Sequence, residues 1–240
     1  MALVAMLVLS SCNCGDSSGP DDGGSGGSAT GGGSATGGGD AGTLPPCNVG
    51  LNDTVEATLY MSIDDEGTLF LNGTPIATQQ IPWNSPLVRT LQVNRNPTVP
   101  NVVAIEARNV YSQAGVDRAA LVDFRLGVQG TPDASQIFAS GEGWKTTLAA
   151  DSGISDGGWT AVNFDDSSWG PSVSVLPYGA QPYGDIFAQF GVDTTGASWM
   201  WAYDPSQAPN RPTLEPSWFR RVFYFQLDGG FSTDAGSCIN

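Results

Sequence analysis

The chain has 240 residues, of which 24 are acidic and 9 basic, for a formal net charge of −15. So acidic a chain is repelled by DNA, RNA and anionic lipid, which sets nucleic acid aside as a partner. It contains no His, so Ser-His-Asp and Cys-His catalysis and His-ligated metals are excluded.

Met1 to Leu9 is an apolar run followed by Ser10-Ser11-Cys12. It is too short to span a bilayer as a helix and has the length of a signal-peptide apolar region. Leu9-Ser10-Ser11-Cys12 resembles a bacterial lipobox, although no Lys or Arg precedes the apolar run. The resemblance implies lipidation at Cys12, with residues 1–12 as signal and the membrane contacted only through the lipid, against an ordinary secretory signal with an incidental Cys. Position 13 is Asn rather than Asp, which favours the outer membrane, facing the periplasm or the cell surface.

Residues 13–46 are mainly Gly, Ser, Asp, Ala, Thr and Pro. Such a tract buries too little apolar surface to offset its ordering entropy. It reads as a flexible tether with a reach of roughly 30–35 Å.

With Cys12 lipidated, Cys14, Cys47 and Cys238 remain. Cys47 and Cys238 bracket the remainder of the chain, and the compartment is oxidising, so they are expected to pair. Closing so long a loop contributes about 5 kcal/mol in the chain-entropy model. The alternative pairs Cys14 with one of them, or between chains.

Residues 47–240 are expected to form one domain. Val55, Ala57, Leu59, Met61 and Ile63 alternate with Glu56, Thr58, Tyr60 and Ser62. That period of two puts an apolar row on one face of a strand and a mostly polar row on the other. Asp64-Asp65-Glu66-Gly67 reads as a turn, and Asn72-Gly73 as a two-residue hairpin. Residues 55–77 are thus expected to be a three-strand antiparallel meander. Further strands are expected at Val88–Val93, Val102–Arg108 and Ala119–Val128. Residues 129–143 read as a connection and 170–217 as loop rich in aromatics. Trp218 to Leu227, WFRRVFYFQL, is a strand by composition. Short strands at close spacing without helical periodicity predict an all-β antiparallel sandwich or barrel.

Four pieces carry a family resemblance: Phe164-Asp165-Asp166-Ser167-Ser168-Trp169, Phe219-Arg220-Arg221, Asp64-Asp65-Glu66-Gly67 with Leu71-Asn72-Gly73, and Asn101-Val102-Val103-Ala104-Ile105-Glu106. Together they resemble the galactose-binding-like jelly-roll superfamily, notably sugar-binding accessory domains of bacterial glycoside hydrolases and sialate esterases. In that family the Trp-rich and FRR pieces come first. Here they come last, as a circular permutation would give. The resemblance implies one sandwich completed by both halves, 55–128 and 144–227, with its new ends close together beside Cys47 and Cys238. Two partial domains in tandem are the rival arrangement. It also implies a non-catalytic module.

Sugars stack their C–H faces on aromatic rings, with nearby polar groups taking the hydroxyls. Trp199, Trp201, Tyr203 and Tyr183 are the candidate ligand-binding rings, with Tyr178 and Trp83 beside them, and Asp204, Asn210 and Arg211 are the polar partners. Packing of these aromatics onto the sandwich is the competing role. Asp64-Asp65-Glu66 is a candidate for structural calcium, against service as a solvated turn. No other cofactor is expected. Asp165-Asp166 with that acidic loop would be the carboxylates of a glycoside hydrolase, against turn and capping duty. Arg220 and Arg221 are expected to pair with acidic partners across strands. The expected function is non-catalytic binding of glycan or another extracellular polymer. The alternatives are a structural or adhesion protein with a protein partner and, third, the hydrolase.

Overall fold

The computed structural model describes residues 53–80, 82–110, 118–129, 136–152, 154, 157–192, 196–203, 215–225 and the backbone of 231–232. All of these fall in one compact unit, Thr43–Asn240. The signal segment, Cys12, the tether, Cys14, Cys47, Cys238, Asp204, Asn210 and Arg211 lie outside the described residues.

The first half supplies β1 (Thr54–Asp64), β2 (Glu66–Leu71), β3 (Thr74–Gln79), β4 (Leu87–Asn94), β5 (Asn101–Arg108) and β6 (Ala119–Leu126). The second supplies β7 (Gln136–Ala139), β8 (Lys145–Leu148), β9 (Gly170–Pro171), β10 (Val173–Pro177), β11 (Ser198–Trp201), β12 (Ser217–Phe225) and β13 (Phe231–Ser232). The only helical pieces among the described residues are two 3-10 turns, Gly157–Thr160 and Ala188–Phe190. Neither is long and apolar enough to cross a membrane.

The strands form two antiparallel sheets packed as a β-sandwich, so the expected fold class is met. The first sheet runs β10-β11-β6-β1-β4, with β7 also on β6. The second runs β3-β2-β5-β12-β8-β9, with β13 also on β12. Each sheet takes strands from both halves of the chain. The interior is one apolar cluster that includes Leu59, Met61 and Ile63 of β1, Val122 and Phe124 of β6, Leu69 of β2, Ile105 of β5 and Phe219 of β12.

Residues 55–77 do not form a meander. β1 pairs with β4 and β6, whereas β2 pairs with β3 and β5. The chain turns a corner at Asp64-Asp65 and changes sheet. The reason is packing: the apolar rows of β1 and β2 bury each other only when they face across an interior. The corner is buried rather than solvated, with Asp64 and Asp65 each 6 % exposed. The Asp65 amide donates to Arg108 O at 3.0 Å, and its Oδ2 accepts from the Val110 amide at 2.8 Å. The Asn72-Gly73 hairpin is as expected: φ is +51° and +85°, both left-handed.

The polar row of β1 is not solvated either. Thr58, Tyr60 and Ser62 are buried: Phe187 and Phe190 of residues 178–192 pack on Tyr60, and Ser62 Oγ donates to Trp83 O at 2.5 Å. Thr58 Oγ1 donates to Gly127 O at 2.8 Å, which satisfies the covered hydroxyl. The second sheet is covered in the same manner by residues 157–169, with Ala149 and Ile154 packed beside them. Trp159 stacks on Trp218 there, with ring centres 4.8 Å apart and planes at 10°. Both outer faces therefore carry their own aromatic cluster.

Candidate functional site

The candidate site is a hollow where the strap 178–192 meets the edge of the first sheet. β10 pairs antiparallel with β11, with an irregularity between Ser174 and Leu176. Beyond Pro177 the chain turns back, and the Tyr178 amide donates to Ala197 O at 3.0 Å. The strap is then pinned from below. Tyr183 is buried and stacks on Trp199, with ring centres 4.1 Å apart, and meets Trp83 edge-on at 5.0 Å. Phe187 is fully buried against Tyr60 at 5.9 Å. The Phe187 amide donates to Tyr178 Oη at 3.1 Å, tying the two ends of the strap's first loop. The 3-10 turn Ala188–Phe190 ends at Gly191, whose φ of +70° few other residues adopt.

Between these elements lies an open hollow of about 820 Å³, within the size range of small-ligand pockets. Pro177, Ala188, Val192 and Ala197 line it with apolar surface, and Ser174, Ser198 and Tyr178 with hydroxyl-bearing side chains. Among the described residues of the lining, Asp185 is the carboxylate and there is no Lys or Arg. Gly179 sets that carboxylate in place: a Cβ there would lie 2.6 Å from Asp185 Oδ1, and the φ of +82° suits glycine. Such a lining offers acceptors and donors around an apolar patch.

The sequence-predicted rings are placed differently from expectation. Trp199, Trp201 and Tyr183 are buried, at 0 %, 1 % and 3 % exposure. Trp199 and Tyr183 join the cluster under the strap, while Trp201 meets Phe219 between the sheets at 5.8 Å. Placed so, they offer no ring face to a ligand; they hold the floor and the strap. The physical reason is area: burying such large apolar rings stabilises more than exposing them. Tyr203 is half-buried and accepts a hydrogen bond from Arg118 Nη1. Tyr178 does border the hollow. Asp185, Ser174 and Ser198 were not anticipated. Their one sequence signal is the glycine punctuation around them at Gly179, Gly191 and Gly196.

The acidic candidates are structural in their contacts. Asp64 Oδ2 accepts from Tyr183 Oη at 2.8 Å. Among the described residues no three His, Cys, Asp or Glu side chains group as metal ligands. Asp166 forms ion pairs with Arg220 and, at 2.8 Å, with Lys145. Arg220 is 1 % exposed and also donates to Trp159 O at 3.0 Å and Ala161 O at 2.7 Å. Its acidic partner thus comes from the covering loop rather than from a neighbouring strand. Arg221 lies over the Phe138 ring at 4.8 Å and donates to Glu142 O. Asp165 is exposed and accepts from the Ser167 amide at 2.9 Å. That amide bond, and then the Ser167 hydroxyl, hold the Asp165 carboxyl below its usual pKa.

No protein-family model, curated protein or solved structure matches this chain.

Proposed function

We propose that this chain is a lipid-tethered, non-catalytic β-sandwich that binds glycan or another extracellular polymer at the hollow between the strap and β11. The observation that carries this reading is the described lining: hydroxyls, the Asp185 carboxylate and an apolar patch around an open space of ligand size. Polyols are held by that combination, through hydrogen bonds to hydroxyls and contact of C–H faces with apolar surface. The rings placed beneath it keep the cleft rigid, which lowers the ordering cost of binding.

The galactose-binding-like jelly roll, circularly permuted, is the proposed family. Two features support it. Both sheets contain strands from both halves. The start of β1 and the end of β12 meet through one residue: the Arg95 amide donates to Asp53 O at 2.8 Å, and its guanidinium lies 5.5 Å from the centre of the Phe225 ring. Cys47 and Cys238 lie just outside those ends in sequence, which suits a bridge between them. Non-reducing peptide mapping is expected to recover that pair. Labelled palmitate is expected to enter the wild type and not Cys12→Ala, consistent with outer-membrane anchoring.

The ligand-binding test is retention of the full chain on a glycan and polymer array, wild type against Ala188→Trp. Ala188 is exposed on the rim, so the bulky ring fills the hollow without entering the core. Retention by the wild type and its loss in the variant, with unchanged circular dichroism, is the expected result. No retention by the wild type, together with a protein recovered by cross-linking, would favour the adhesion reading instead.

A further inference from the structure

We infer that the hollow selects glycans bearing free amines, such as de-N-acetylated amino-sugar polymers, over neutral ones and excludes uronates. The inference rests on the glycan-binding reading and names the ligand class for the same site.

The argument is charge. Asp185 stands in the lining with an exposed carboxylate, and no Lys or Arg is among the described lining residues. The sequence from Val173 to Met200 holds Asp185 and Asp193 and neither Lys nor Arg. The chain as a whole carries −15. A cleft of one sign within a body of the same sign raises the local concentration of counter-charged ligand and lowers that of like-charged ligand. Gly179 matters here because its missing Cβ leaves Asp185 Oδ1 its position against the turn. An ammonium on a sugar ring is compact, donates three hydrogen bonds and sits at the scale of the hydroxyls that Ser174, Ser198 and Tyr178 can engage. A carboxylate on a sugar would meet the like charge of Asp185.

The experiment is calorimetric titration of the full chain with tetramers of glucosamine, of N-acetylglucosamine and of a uronate. It is run at low salt with the sugar amine protonated, on wild type, Asp185→Asn and Asp185→Lys. The expected order for the wild type is amine, then acetylated, then uronate. The amine is favoured roughly two- to fivefold over the acetylated form, the scale of a solvent-exposed ion pair. Salt should compress that preference. Asp185→Asn should abolish it and Asp185→Lys should reverse it toward the uronate. Equal affinity for all three, or a preference untouched by Asp185→Asn, overturns the charge selection and leaves glycan binding standing. Absence of binding to all three overturns the charge selection, and the array then decides the glycan reading.

Discussion

Tyr183 donates its phenolic hydroxyl to Asp64 Oδ2 across 2.8 Å, both side chains being buried and the residues far apart in sequence. One bond thus ties the strap to the corner where the chain leaves the first sheet. Tyr183→Phe removes a donor from a buried carboxylate without changing the ring. The expected loss is about 1–3 kcal/mol. Tyr183→Ala also removes the stack on Trp199 and should cost about 3–5 kcal/mol. Denaturant unfolding measures both. A Phe variant as stable as the wild type would show that the hydroxyl does not hold the corner.

The ion pairs of Asp166 differ in burial, and their loss should differ accordingly. The Arg220 side chain is 1 % exposed, the Lys145 side chain 43 %. Asp166→Asn leaves a buried guanidinium without its counter-charge and should cost about 3 kcal/mol or more. Lys145→Met should cost about 0–1 kcal/mol. The covering segment 157–169 is the part expected to loosen, so Trp159 and Trp169 fluorescence should report the Asp166→Asn change. Comparable losses in the two variants would contradict this assignment.

Asp165 offers a pH test on the same segment. Its folded pKa is lowered, first by the Ser167 amide and then by the Ser167 hydroxyl. The unfolded chain therefore binds the proton more readily, and stability rises with pH across the interval below the ordinary value near 3.8. The contribution is present above that value and is lost as pH falls through the folded pKa. Asp165→Asn should flatten the acid limb of the unfolding curve relative to wild type. Superimposable acid limbs would show that the Ser167 bonds do not persist in solution.

Gly67 is the tightest backbone approach in the second sheet. A Cβ there would lie 2.1 Å from Ile63 Cδ1 and 2.8 Å from Glu106 O. The first contact could yield by a side-chain rotation within a full core, the second only by moving β5. Gly67→Ala is expected to destabilise by about 1–3 kcal/mol, as overpacking does. Thermal unfolding measures it, and a neutral substitution would mean that β2 and β5 separate more readily than their pairing indicates.

Much of the fold was legible because strands announce themselves locally. The alternation of Val55 to Ile63, the β-branched run Val102 to Ile105 and the aromatic run from Trp218 each specify a strand whatever lies opposite. Asn72-Gly73 specified its turn because only a few residues tolerate positive φ there. The strands β7, β10 and β11 were not legible. They are short, and their pairing with β6 and with each other is a long-range matter.

Which residues face the hollow was the least legible of all. Trp199 and Tyr183 have the chemistry of a sugar platform, yet the same ring area makes them the staples of the strap. Asp185 has no local signature; its place depends on a turn at Gly179 and on a strap held down by Phe187.

From the chain alone come the all-β class, the hairpin, the acidic character and the absence of imidazole chemistry, because these are properties of composition and near neighbours. Only the folded molecule decides which sheet β2 joins, that both outer faces are covered, and that the Asp185 carboxylate stands beside an open space. Those outcomes depend on which apolar surfaces find each other across the interior, a competition among distant segments that no local pattern records.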